Sequence, residues 1–502
     1  MGYFKDVTPE SVGIESKGIL DFIHDVKKHG IEQHSLMVIR HGKCCAKGWW
    51  KPYGPQYLHP VYSFSKSLTA TAIGFAEQEG ILSLDEKLVD IFADQLPEQI
   101  SDNLKEVTLE HLLTMSCGHE TEIENKETEG WVRMFLANPF LHKPGTFYKY
   151  NTAGTNMLSA TLKKKTGKDL IEFLRPRLLD PLGISEIYCA RTPGEDSVEH
   201  GGGGMKLHTE NMAKFTYFLL HRGEWEGKQL LRTSWFDRAC VKQIETLHDS
   251  ENHTGDWGMG YGYQCWMGTQ AGSFRADGAY GQFGLVYPAL DLIVVMTTAT
   301  EQTQTLLTSL AKYLLPAVKE QPLPESIAST SLKGELEHLA LPMVHGDRCP
   351  HLEKKLDAQV YAAQKADGKG CCSLEYLIGG AGIFDLYAGE IDKMAFYFGQ
   401  DTLQWSVWED GEIRKITASF TGKPAVSETN GVTYAATAGW RSFGALELEV
   451  RRVDAISGSR IIFRFDGGML RIESDDTLVS VGGLGLHPKQ VTEFAAREEQ
   501  TP

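Results

Sequence analysis

A serine and a lysine stand one helical turn apart, Ser63 and Lys66, in the stretch Pro60-Val-Tyr-Ser-Phe-Ser-Lys-Ser-Leu-Thr-Ala-Thr-Ala-Ile-Gly. At that spacing on a helix the lysine amine lies within reach of the serine hydroxyl. A serine hydroxyl is a weak nucleophile until a base takes its proton. A lysine sunk in apolar surroundings loses its preference for the charged state and can be that base. The residues that follow, Leu68, Ala70, Ala72, Ile73, Phe75 and Ala76, leave no polar face of any size before Gly80 stops the run. A helix apolar all round belongs at a domain centre. It would hold a nucleophile at its start rigidly, with the positive helix end beneath it. The plainer alternative is a serine that merely caps the helix.

The same pattern recurs at Ser309 and Lys312. There Leu306, Leu307, Leu310 and Leu314 give ordinary amphipathic periodicity, and the pair falls on the polar side.

The elements that must position Ser63 come from a chain of 502 residues, enough for two domains or one large one with an appendage. The 66 acidic residues outnumber the 50 basic ones, giving −16, and no basic run exceeds Lys163-Lys164-Lys165. Nucleic acid is therefore not an expected partner. No stretch approaches the roughly 20 apolar residues of a membrane span. The segment Met1–Pro9 has no apolar signal core, and Asp6 stands where a myristoylation motif wants Ser or Thr. Nine cysteines occur without a C-x-x-C spacing, which points to reduced thiols and a cytoplasmic setting. The 17 histidines show no H-x-H or H-x-x-x-H pair, so neither a metal nor a cofactor is expected.

From about residue 10 to 318, helices and short strands mix. Helices are expected at Ser16–His29, Ser65–Glu79, Leu109–Ser116, Asn151–Lys165, Asp169–Leu178, Thr209–Arg222 and Thr303–Leu315. Strands are expected at Ser35–Arg40, Cys45–Trp50, Gly260–Met267, Ser273–Ala276, Phe283–Tyr287 and Leu292–Thr298. A strand pair at the start and several strands at the end imply one antiparallel sheet closed by both ends of this region, with a helical lobe between. Residues 319–345, with Pro322, Pro324 and the Ser/Thr-rich Ser326–Ser331, read as a linker. Residues 346–502 alternate apolar and polar positions, as in Leu446, Leu448 and Val450 against Glu447, Glu449 and Arg451. That pattern predicts an accessory antiparallel β domain, barrel or sandwich, without a catalytic constellation.

Residues 10 to about 318 resemble the serine β-lactamase-related hydrolases, a group holding class C β-lactamases, penicillin-binding carboxypeptidases and family VIII esterases. The resemblance is carried in order by Tyr62-Ser-Phe-Ser-Lys-Ser, by Glu79-Gly-Ile-Leu-Ser-Leu-Asp-Glu-Lys-Leu, by Val107-Thr-Leu-Glu-His-Leu-Leu-Thr-Met-Ser-Cys-Gly, and by Pro144-Gly-Thr-Phe-Tyr-Lys-Tyr-Asn-Thr-Ala-Gly-Thr-Asn-Met-Leu. It implies an α+β fold of the β-lactamase/transpeptidase type. Catalysis in that group uses S-x-x-K, then S-D-N or Y-x-N, then K-T-G.

This chain contains a literal Ser101-Asp102-Asn103 and a literal Lys165-Thr166-Gly167. Both read as decoys. The first lies in a polar link upstream of the expected place, and the second ends a helix at a glycine stop. The resemblance instead implies Tyr150 as the second element, a phenol bordering Ser63 and Lys66 that ionises readily beside an ammonium and shuttles the proton. A half-buried aromatic at a helix start is the plainer reading. The chain has Tyr150-Asn151-Thr152 where Tyr-x-Asn is usual, so the substrate contact of that asparagine is lost or passes to Thr152.

The third element is Ala276-Asp277-Gly278-Ala279. Gly278 would let the backbone approach a ligand closely. By the group's pattern the amides of Ser63 and Ala279 form an oxyanion hole. Ala276 stands where Lys or His is usual, so no cation grips a substrate carboxylate, and neutral esters or amides become the expected substrates over β-lactams and D-alanyl peptides. The aromatics of Trp257–Trp266 either line an acyl pocket or pack the core. Gly201–Gly204 reads as a flexible loop at the pocket rim and opens no nucleotide motif. No G-x-S-x-G elbow occurs, which excludes an α/β-hydrolase. Hydrolysis through an acyl-enzyme on a small ester or amide is the leading expectation. Acyl transfer by the same residues, or an idle binding protein on this fold, are the alternatives.

Overall fold

The computed structural model describes residues 2–123, 130–247, 255–363, 373–378, 389–441, 444–476 and 490–497. The chain divides into two compact units, Met1–Trp49 with Pro60–Leu339, and Trp50–His59 with Ala340–Pro502. The division falls inside the stretch read as a linker. Part of that stretch is a helix of the first unit, Ile327–Glu337, which buries Leu332 and packs on Ser16–Lys28.

The first unit is built on a 7-stranded sheet in the order Lys5–Asp6, Lys43–Trp49, Glu32–Arg40, Leu292–Ala299, Gln282–Tyr287, Phe274–Gly278, Trp266–Met267. As the strand pattern implied, chain segments from both ends of the unit meet in the sheet centre. There Val38 faces Val294 and Ile39 faces Ile293 in antiparallel register. Leu292–Ala299 is buried along its whole length, which is why its first five residues, Leu292 to Met296, read as a continuous apolar run rather than an alternating one. Thr209–Leu220 packs on it and on Gln282–Tyr287.

Ser65–Gln78 is the apolar helix expected. Every residue from Ser65 to Ala76 is buried, and the helix packs against Thr152–Thr166. Gly74 makes room for the indole of Trp235, which a Cβ would meet at 2.7 Å.

The expected strand Gly260–Met267 forms only at Trp266–Met267. Left-handed backbone at Gly260 (φ 104) and Gln264 (φ 57) breaks the extension. The buried Gln264 amide then donates to the carbonyls of Leu112 and Leu113, and its side-chain oxygen accepts from Thr155. Ser309 also departs from expectation. It is buried, donating to Asp25 at 2.8 Å, rather than lying on a polar face.

The second unit is a 10-stranded antiparallel sheet that nearly closes into a barrel. Closure comes from a parallel pairing of Glu412–Ser419 with Val432–Arg441 through Ala418↔Ala436 and Ser419↔Thr437. Its interior is filled by Phe396, Trp405, Leu446, Leu448, Val450 and Phe463. Glu447, Glu449 and Arg451, expected to face water, are buried as well. Glu449 is paired with Arg451 at 2.8 Å and accepts from the Val344 amide at 3.0 Å.

Candidate active site

Two strained turns hold the backbone of the site. Tyr62, the residue before Ser63, adopts φ 44, and Tyr280, the residue after Ala279, adopts φ 64. A non-glycine residue in this region costs on the order of 1 kcal/mol and persists only where packing enforces it. Here the two rings pack edge-on at 5.5 Å, joining the segments that carry Ser63 and Ala279. Phe274–Gly278 lies close beside the Tyr62–Phe64 turn. A Cβ on Gly278 would come within 2.1 Å of the Val61 carbonyl oxygen. The absence of a side chain at Gly278 thus lets its strand approach the main chain just before Ser63.

Lys66 is 1% exposed, and its Nζ lies 3.0 Å from Ser63 Oγ and 3.3 Å from Thr152 Oγ1 while also donating to the Gly202 carbonyl. Burial pulls its pKa down from 10.5 to about 7, against the opposing field of Glu122. A neutral amine keeps two N–H groups, which suit Thr152 and Gly202, and leaves its lone pair for the Ser63 hydroxyl.

Gly202 was not recognised from sequence, and Gly201–Gly204 is not a flexible rim loop: all four residues are buried. Thr69 donates to the Gly201 carbonyl at 2.9 Å, and the Gly202 amide donates to Asn156 at 3.0 Å. A Cβ on Gly202 would stand 2.8 Å from the Thr152 carbonyl oxygen. The glycines are there for packing beneath the lysine. The neighbouring His200 is buried, and desolvation with the Lys66 charge lowers its pKa to about 4, so it stays neutral.

Tyr150 hydrogen-bonds Ser63. Its ring stacks on Trp266 at 5.8 Å and 16°, and Trp266 meets Tyr261 edge-on at 5.0 Å. The aromatics of the Trp257–Trp266 stretch therefore wall the Tyr150 ring. Lys66 Nζ lies 4.9 Å from the Tyr150 ring centroid, over the face.

Burial pushes the Tyr150 hydroxyl well above its ordinary range. The Ser63 hydrogen bond opposes this, and the fields of Asp277 and Glu122 add to it. The expectation of a readily ionised phenol is overturned. Lys66, with its own pKa brought to about 7, is only partly protonated near neutral pH, and the Asp277 and Glu122 carboxylates oppose a new negative charge.

The asparagine of the Tyr-Asn-Thr sequence serves the helix. Asn151 caps Thr152–Thr166 by accepting from the Gly154 amide at 2.8 Å, and its amide contacts His119 Nδ1 at 3.1 Å. Thr152 is the residue turned to Lys66. Glu122, which no sequence pattern marked, accepts from the Ala153 amide at 2.9 Å on the next residue of the helix.

On the third element, Ala276 is fully buried in the core cluster with Phe64 and Phe274, so its side chain faces packing and not a substrate. Asp277 pairs with Arg275 Nε at 2.7 Å. Burial raises the Asp277 pKa to about 6, against the attraction of Arg275. Arg275 in turn lies 4.6 Å over the Trp257 ring. Ala279 is exposed, with its carbonyl held by Gln282 Nε2 at 3.1 Å.

The literal motifs lie in structural roles. Ser101 caps Asp102–Glu106, accepting from Leu104 at 3.1 Å, and Asn103 donates to the Phe140 carbonyl. Lys165 pairs with Glu86, Thr166 donates to the Leu162 carbonyl at 2.7 Å, and Gly167 ends the helix at φ 72. Among the described residues no group of three His, Cys, Asp or Glu could hold a metal, and no helix is long and apolar enough to cross a membrane.

The beta-lactamase family model matches residues 21–319. The chain belongs to that family. A lovastatin esterase of Penicillium rubens is 27% identical over 171 residues, covering 28% of this chain and 43% of the esterase. A D-aminopeptidase of Brucella anthropi is 24% identical over 164 residues, covering 30% of this chain and 31% of the peptidase. The chain thus spans less than half the length of either relative. A penicillin-binding protein homolog from Caulobacter crescentus superposes with TM-score 0.49 at 16% identity, over 61% of this chain and 99% of that one. The family model bears out the resemblance read from the Tyr62, Glu79, Val107 and Pro144 segments, and with the mixed helices and sheets it bears out the α+β fold. The two curated relatives carry the names of an esterase and an aminopeptidase.

Proposed function

We propose that the protein is a serine hydrolase that cleaves a small ester or amide through an acyl-enzyme. The observation that carries this reading is the contact between Ser63 Oγ and a solvent-excluded Lys66 whose pKa lies about 7. Ser63 attacks the carbonyl carbon while Lys66 takes its proton. The amides of Ser63 and Ala279 receive the developing oxyanion. Tyr150, which keeps its own proton in the resting enzyme, passes a proton to the leaving alcohol or amine and recovers one from Lys66 as the C–O or C–N bond breaks. Water, deprotonated by the same relay, then attacks the ester of Ser63 and frees the acid. Thr152, Asp277 and Gly278 border the bound acyl group. With Ala276 buried, that position supplies no cation to a substrate carboxylate, and neutral groups are favoured there.

Incubation with a fluorophosphonate followed by intact mass and peptide mapping tests the reading. One adduct on Ser63, absent in Ser63→Ala, is the expected result, together with turnover of p-nitrophenyl esters. An unlabelled Ser63 in folded protein, or an adduct on another serine, overturns it.

A further inference from the structure

Lys66 can take the proton of Ser63 only if the charge it acquires, away from water, is met by fixed acceptors. Its Nζ contacts Ser63 Oγ, Thr152 Oγ1 and the Gly202 carbonyl. The two hydroxyls can turn to donate or accept, whereas the carbonyl can only accept. Gly202 is therefore the contact that favours the ammonium over the amine. The other ionisable groups around the amine do not take this part. Glu122 acts on it through its field from an exposed position, Tyr150 and His200 are neutral, and Asp277 is paired with Arg275.

A glycine peptide turns freely unless hydrogen bonds hold it. The Gly201 carbonyl is held by Thr69 at 2.9 Å, and the Gly202 amide by Asn156 Oδ1 at 3.0 Å. Asn156 lies one helical turn beyond Thr152 on Thr152–Thr166 and is fully buried. Its Nδ2 has no hydrogen-bond partner among the described residues. A buried amide with an unmet donor costs stability, and a leucine of similar size would avoid that cost. What the residue supplies is its oxygen, set on Gly202.

We propose, resting on the hydrolase reading above, that Asn156 is a positioning residue of the proton relay: it aims the Gly202 carbonyl at Lys66, so that the amine stays on Ser63 and its new charge is met as the Ser63 O–H bond breaks and the N–H bond forms. Asn156 governs kcat and its pH dependence through Lys66, and it leaves substrate binding alone.

The test is the pH dependence of kcat and kcat/KM on p-nitrophenyl acetate, with thermal melts to show that each variant is folded. Turnover by the wild type, abolished in Ser63→Ala, reports the hydrolase reading by itself, so failure there is distinct from failure of this proposal. Asn156→Leu and Asn156→Ala lose the acceptor. Each should lower the plateau kcat by about tenfold or more while KM stays within about threefold. The midpoint of kcat/KM should fall by about half a pH unit or more, because the ammonium has lost its carbonyl. Asn156→Asp keeps an oxygen on the Gly202 amide and should recover most of the plateau, with a midpoint above that of the wild type as its carboxylate favours the ammonium. Ser159→Ala is the control. Its buried hydroxyl, one turn further on the same helix, has no partner among the described residues, and its loss should change kcat by less than about threefold. A wild-type plateau or an unmoved midpoint in the folded Leu and Ala variants would overturn the proposal. So would an Asp variant as impaired as they are, or loss of the fold in both, which would make Asn156 a residue of stability alone.

Discussion

Lys66 Nζ stands 3.0 Å from Ser63 Oγ on a lysine closed to solvent, and burial has brought its pKa to about 7. Only the neutral amine can accept the serine proton. The kcat/KM for a neutral ester such as p-nitrophenyl acetate should therefore rise with pH about tenfold per unit below the pKa and level off above it, with a midpoint near 7. Arginine stays protonated throughout this range. Lys66→Arg should be inactive at every pH, and a pH–rate profile of the two proteins checks both statements.

The same burial makes Lys66 a liability to the fold. In the unfolded chain the amine titrates near 10.5, so between about 7 and 10.5 the unfolded state holds a proton that the folded state lacks. Stability from this group rises with pH across that window and is lowest below it. Lys66→Met removes the effect. Relative to wild type, it should gain about 4 kcal/mol more at pH 6 than at pH 10, at roughly 1.4 kcal/mol per pKa unit. Urea unfolding at the two pH values measures the difference.

Gly278 and Gly334 should respond to alanine in opposite ways. A Cβ at Gly278 would lie 2.1 Å from the Val61 carbonyl oxygen, and neither main chain can yield without moving Ser63 or Ala279. Gly278→Ala should lose about 10²-fold or more in turnover and about 2 kcal/mol in stability. Gly334 lies in Ile327–Glu337 with nothing within 4 Å of the added carbon. Gly334→Ala should leave turnover intact and stabilise by about 0.5–1 kcal/mol. Assay and thermal melts of the two variants check this.

Ser63, Lys66 and Tyr150 were legible because each is a side chain in an ordered local pattern, and local patterns survive in sequence. The sheet was legible because buried strands such as Leu292–Ala299 are apolar runs of strand length. What could not be read was the sum of distant contributions. The Gly202 carbonyl that holds Lys66 is a backbone atom in a run that composition marks only as glycine-rich. The resistance of Tyr150 to ionisation comes from burial and from Glu122 and Asp277, which lie far from it in sequence. Ile327–Glu337 was hidden because its serines and flanking prolines resemble a linker, while its packing is fixed by Leu332 against the first unit.

The decoy motifs give the sharpest test of the site. Tyr150→Phe removes the hydroxyl that bonds Ser63 and should reduce turnover by roughly 10²-fold or more, the usual scale for a positioned acid or base. Ser101→Ala removes a helix cap, since Ser101 Oγ accepts from the Leu104 amide at 3.1 Å. It should cost about 1 kcal/mol of stability while turnover changes by less than about threefold, as for other substitutions away from the chemistry. Thr166→Ala removes a bond to the Leu162 carbonyl in the last turn of its helix and should be equally silent in turnover. If the literal tripeptides were catalytic, the order would reverse: Ser101 would carry the proton, Thr166 would line the oxyanion strand, and Tyr150 would be a packing residue. Geometry opposes that order, because a helix terminus at Gly167 cannot supply the strand edge along which an acyl group lies. Measuring the three variants on one p-nitrophenyl ester decides it. A crippled Ser101→Ala beside a healthy Tyr150→Phe would remove Tyr150 from the site.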